Sequence, residues 1–72
     1  MGEAMKKCEY AKAFVHRDGI RFTFKFAGEP EQTREIQEDA ATHWTDINIE
    51  AVAENEIEFN RYDGVKLEIT RE

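Results

Sequence analysis

The run Ile20-Arg21-Phe22-Thr23-Phe24-Lys25-Phe26 alternates apolar and polar residues without a break, and Arg17-Asp18-Gly19 separates it from a second strand-like run at residues 8–16. A period of two buries one side of a strand and exposes the other, so residues 8–27 predict a β-hairpin with one face against a core. The loop length then sets which side chains share that face. A three-residue loop places Phe14 opposite Phe22 and Tyr10 opposite Phe26, with Lys12 and His16 on the same aromatic face. A two-residue loop pairs Val15 with Phe22 and Ala13 with Phe24, puts Lys12 opposite Lys25, and leaves Tyr10 and Phe14 on the outer side. The three-residue loop is the expectation, because it gathers the aromatics.

A second Asp-Gly pair lies at Asp63-Gly64, between the strand-like runs 56–61 and 65–70. Parity again selects a three-residue loop, Tyr62-Asp63-Gly64, which pairs Phe59 with Leu67 and Ile57 with Ile69 and makes one face apolar. That arrangement predicts a G1 bulge with Gly64 in the left-handed region.

Between the two hairpins, Pro30 suits the first position of a helix and Glu29, Glu31 and Glu35 complement the positive end of its dipole. Ile36, Ala40, Trp44 and Ile47 recur at helical spacing, which predicts a helix over residues 30–44. Ile47, Ile49 and Ala51 alternate and predict a third strand near 46–52. The expected fold is therefore a single α+β domain over residues 1–72, two-layered, with order ββαβββ and one helix across a mostly antiparallel sheet. Residues 8–27 form its first hairpin and residues 46–71 its remaining strands. The order is also compatible with a β-grasp arrangement.

With 72 residues, the chain has room for one small core, and its single cysteine, Cys8, rules out an intramolecular disulfide. Dimerisation is one route to further stability. The lone thiol and the lack of an apolar run near 18 residues or of a signal-peptide core lead to the expectation of a cytoplasmic chain with no membrane segment. Met1-Gly2 is followed by Lys6 where a myristoylation signal needs Ser or Thr, and residues 1–7 read as a frayed or appended terminus.

The formal net charge of -6 is unevenly distributed. Residues 1–27 carry six basic and three acidic side chains, whereas residues 28–58 carry ten acids and only Arg34 as a base. This asymmetry motivates the leading functional expectation: a small non-catalytic interaction module, an inhibitor or regulator, that meets a basic protein surface through Glu31, Glu35, Glu38, Asp39 and Asp46. A second expectation is nucleic-acid binding through Lys12, Arg17, Arg21 and Lys25 on the first hairpin. The net negative charge opposes it, and alternation sends Phe22, Phe24 and Phe26 to the side opposite Arg21 and Lys25, whereas a stacking platform needs rings and cations together.

A third expectation concerns Asp39, His43 and Asp46, whose i, i+4, i+7 spacing would bring two carboxylates and an imidazole to one face of the expected helix. The spacing is common in charged helices, and no further ligand or nucleophile stands nearby in the sequence. A Cys8 dyad with His16 or His43 has no positive support. The sequence contains no phosphate-binding glycine loop, zinc spacing or nucleophile elbow, so neither a cofactor nor a metal is expected.

Overall fold

The computed structural model describes residues 7–60, 62 and 64–72. Strand β1 (Cys8–His16) and strand β2 (Gly19–Phe26) form the expected antiparallel hairpin. The register differs from both alternatives weighed above. His16 pairs with Gly19, so the loop is only Arg17-Asp18, and Val15 faces Ile20, Ala13 faces Phe22 and Phe14 faces Arg21. An irregularity between Cys8 and Tyr10 then places Cys8 beside Phe26.

The tight loop has a packing reason. Ala11, Ala13 and Val15 point inward against Ile20, Phe22 and Phe24, so small residues on β1 receive the bulk offered by β2. The expected register would have buried Lys12, a costly placement for a cation with no inward partner.

Residues 30–44 do not form a helix. Gln32–Gln37 is strand β3, antiparallel to β2. Gly28, at φ 80°, helps turn the chain between them. Thr33 and Ile36 are β-branched, and Ile36 lies across from Ile20, where it packs on the core. Pairing the free edge of β2 satisfies a row of backbone groups, which outweighs the helical spacing of Ile36, Ala40, Trp44 and Ile47. Those four residues end in different environments: Ile36 and Trp44 border the core, Ala40 takes φ 56°, and Ile47 is exposed.

A short 3-10 turn, Ala41–His43, packs against β1 and buries Ala41. The helix α1 follows at Asp46–Glu56, where a strand was expected. Thr45 caps it, its hydroxyl accepting from the Asn48 amide at 3.2 Å, and Asp46 in the first turn suits the dipole. Ile49 and Ala53 are the buried residues of the helix, with Val52 partly buried against the core. At the other end Arg34 reaches over from β3 and donates to the Glu56 carbonyl at 3.0 Å, a cation on the negative end of the helix.

Among the described residues the second hairpin is also absent. Strand β4 (Leu67–Arg71) runs parallel to β1, with Leu67 opposite Ala11 and Ile69 opposite Ala13, rather than antiparallel to residues 56–61. A parallel return requires a crossover of a dozen or more residues, which the segment containing α1 supplies. Ile57, Phe59 and Leu67 are buried as the apolar pattern implied, but in a shared core and not as cross-strand pairs. Gly64 has the positive φ expected of it, 91°, while Arg61 and Asp63 lie outside the described residues.

The result is an α+β domain: one helix on a four-stranded, mostly antiparallel sheet of order β3-β2-β1-β4. The class agrees with the sequence reading. The element order does not, because the third strand precedes the helix and the last strand pairs with the first.

Candidate functional site

The helix covers one face of the sheet, and among the described residues no secondary-structure element covers the other. The open face is read from parity. β1 contributes Tyr10, Lys12, Phe14 and His16; β2 contributes Arg21, Thr23 and Lys25; β3 contributes Thr33, Glu35 and Gln37; β4 contributes Glu68 and Thr70. Cross-strand rows follow from the register: Glu35, Arg21, Phe14 and Thr70 in one, Thr33, Thr23, Lys12 and Glu68 in the next. Phe14 is 38% exposed, whereas Phe22, on the inner side of the neighbouring strand, is 0% exposed.

The polar side chains of this face form a mosaic of local pairs. Arg21 Nε donates to Glu35 Oε2 at 2.6 Å, and His16 Nε2 lies 3.7 Å from the other oxygen of that carboxylate. The Arg21 hydrogen bond, followed by its charge, holds the Glu35 carboxyl below its ordinary value. Lys25 Nζ donates to Glu9 at 2.9 Å. The Tyr10 hydroxyl donates to the Glu31 carboxylate, and that hydrogen bond raises the phenol above its usual range. The Lys12 ammonium stands 5.9 Å from the centre of the Tyr10 ring, and Phe14 and His16 lie with ring centres 5.8 Å apart. Glu72, after β4, accepts from the Arg17 amide at 3.3 Å.

The five acids expected to meet a basic partner surface lie on different elements. Glu31 and Glu35 adjoin the open face along β3. Glu38 and Asp39 follow β3 near the hairpin loop, where the Glu38 amide donates to the Asp18 carbonyl at 3.2 Å. Asp46 begins α1 and pairs with Arg71 at 2.5 Å. Of the four cations, Lys12, Arg21 and Lys25 share the open face and Arg17 sits in the loop.

Asp39, His43 and Asp46 fall before the 3-10 turn, within it and at the start of α1, so they do not share one helix face. Among the described residues no group of three His, Cys, Asp or Glu side chains is placed to hold a metal ion. Cys8 is buried on the inner side, its thiol 3.2 Å from the Tyr10 carbonyl, while His16 belongs to the outer side of the same strand. A cleft of about 150 Å³ opens between β2, β3 and the end of α1; Arg34 and Glu56 pair across it at 3.3 Å.

Tyr10 and Phe14 are the residues whose outward placement the expected register missed, Phe14 exposed and Tyr10 half-buried. The signal was present in β1 itself, where the odd positions Ala11, Ala13 and Val15 are uniformly small and apolar while Lys12 and His16 occupy the even ones. No family model, curated protein or solved structure matches the chain.

Proposed function

We propose that this chain is a non-catalytic interaction module that binds a protein partner with the open face of its sheet. The observation that carries the reading is the placement of Phe14 and Tyr10 on an uncovered face while small side chains occupy the inner positions of the same strand. Outward-facing aromatics on a sheet, here the exposed Phe14 beside the half-buried Tyr10, can serve as interface anchors, since large rings bury much area at little entropic cost. Glu31 and Glu35 border them, which retains a role for part of the acidic segment against a basic partner surface. A second copy of the chain is one such partner. The single buried thiol favours a reducing, cytoplasmic setting.

The test is affinity capture from lysate of the source cell, run in parallel with the wild-type chain, Phe14→Asp and Ile47→Asp. The reading expects a partner retained by the wild type and by Ile47→Asp, which alters an exposed helix residue, and lost with Phe14→Asp. A capture pattern indifferent to Phe14 contradicts it.

One observation favours single-stranded nucleic acid as a second reading: Tyr10, Lys12, Phe14, Arg21 and Lys25 lie on one face, the combination that stacking and phosphate contact require. Against it, Arg21 and Lys25 are already paired with carboxylates and the chain carries a net charge of -6. Phosphate would have to displace those carboxylates, which lowers the gain from counterion release at Arg21 and Lys25. Titration with a fluorescent oligonucleotide at low salt separates the readings: tight, salt-sensitive binding lost on reversing Arg21 and Lys25 would replace the protein partner with nucleic acid.

A further inference from the structure

We infer that His16 is a proton-operated clasp: on taking up a proton, its Nε2 closes onto Glu35 and ties the turn end of β1, across β2, to the edge strand β3.

One atom of His16 lacks a partner. Among the described residues its Nε2 is the one buried side-chain nitrogen or oxygen without a hydrogen bond. A buried polar atom left unpaired is costly, and its burial keeps solvent from serving it. Glu35 Oε1 lies 3.7 Å away, just beyond hydrogen-bond reach. The neutral ring turns toward that oxygen either a lone pair or an N–H that falls short. Protonation makes Nε2 a charged donor, and a carboxylate is the acceptor that rewards it most.

The backbone register makes the reach possible. β2 runs between β1 and β3 in the sheet, so His16 and Glu35 stand on strands that are not neighbours. At the level of His16, β2 supplies Gly19 and raises no side chain between the imidazole and β3. Closing falls to Glu35, whose side chain is 51% exposed, while that of His16 is 23% exposed and sits beside the Phe14 ring.

Each oxygen of Glu35 has its own cation. Oε2 accepts from Arg21 Nε at 2.6 Å, and Oε1 faces His16. With His16 neutral, the trio carries one positive and one negative charge; with the clasp closed it carries a net charge of about +1, placed next to Phe14. Arg21 opposes the added proton and Glu35, in contact with both, favours it. The other charged groups around His16 are Lys12 on β1, Arg17 and Asp18 in the turn, Glu38 and Asp39 after β3, and Glu72 after β4. Of these, Glu72 is the one whose carboxylate is already engaged at the turn, by the Arg17 amide. The clasp exists only in the folded chain, so its stabilisation is present at the acid end of the histidine range and is lost as pH rises through it.

The test is NMR on the full chain, labelled with carbon-13 and nitrogen-15, from about pH 8 to about pH 5.5, where a histidine changes charge. Wild type is compared with His16→Gln, Glu35→Gln and Glu72→Gln. The inference expects the Glu35 carboxyl carbon to shift in step with the His16 ring. Protection of the β3 amides against hydrogen exchange, corrected for the intrinsic rate, should rise about two- to fivefold toward the acid end, the scale of a half-exposed ion pair. Both responses should persist in Glu72→Gln; the rise in protection should vanish in His16→Gln and in Glu35→Gln. A Glu35 carbon indifferent to the His16 ring, or a rise in β3 protection that survives His16→Gln, would overturn the clasp. A rise lost in Glu72→Gln and kept in Glu35→Gln would overturn it too, by giving the proton a different partner.

Discussion

The two sides of the β1–β2 hairpin are built on opposite plans. Inward, β1 offers Ala11, Ala13 and Val15, and β2 answers with Ile20, Phe22 and Phe24. Outward, β1 carries Tyr10 and Phe14, and β2 carries cations. The large side chains of the two strands thus face away from each other. Volume explains the difference: Ala41 of the 3-10 turn is buried against the inner side near β1, so that side of the strand has room only for small residues, while the rings of β2 fill the rest of the core. Hydrophobicity alone does not locate a core. The space left by the neighbouring elements decides which apolar residue is inside.

Substitutions can break this comparison or sharpen it. The largest effect is expected at Phe22, fully buried in the inner layer: Phe22→Ala should cost about 3–5 kcal/mol in urea denaturation, most of the stability of a domain this small. Phe14→Ala, on the other side, should stay within about 1 kcal/mol. Gly19→Ala comes next. A Cβ there would lie 2.2 Å from the Ile36 carbonyl oxygen, so the β2–β3 ladder must shift, and a loss of about 1–3 kcal/mol should appear in the same assay. Gly64→Ala meets nothing within 4 Å, and its cost, about 1 kcal/mol, should come from the positive φ alone.

The smallest effect belongs to the open face. The Glu35 carboxyl is held below its ordinary value by Arg21, so the pair favours the folded state at pH above the ordinary carboxylate value. That contribution is lost as pH falls through the lowered folded value. NMR titration should find the Glu35 midpoint moving up in Arg21→Ala, and an unmoved midpoint would mean that the pair does not form in solution.

The same contrast explains what was legible in the sequence. Strict alternation located β1 and β2 because both faces of a hairpin obey one period, and Asp18-Gly19 placed the turn between them. The loop register was not legible from aromatics alone, since it depends on the packing of the 3-10 turn and of β3, both outside the hairpin. Residues 32–37 and 46–56 exchanged their expected roles for a related reason. The expected helix over residues 30–44 had few large apolar anchors, and β2 offered residues 32–37 an unpaired edge, whereas Thr45 provided a cap for a helix that carries Ile49 and Ala53 inward. The final strand kept its apolar residues but paired with β1. A long-range parallel return leaves no local mark, and the turn signal at Asp63-Gly64 pointed to a nearer partner. Of the residues now placed on the open face, Glu31, Glu35, Lys12, Arg21 and Lys25 were singled out by charge, and Phe14 and Tyr10 depended on the register.

That register is the hinge between fold and function, and interstrand backbone NOEs read it directly. The account predicts cross-strand contacts of Val15 with Ile20, Ala13 with Phe22 and Phe14 with Arg21, the pattern that turns the Phe14 ring outward. Contacts of Phe14 with Phe22 and of Tyr10 with Phe26 would contradict it, for those rings would then share the inner face and the proposed docking surface would lose its anchors.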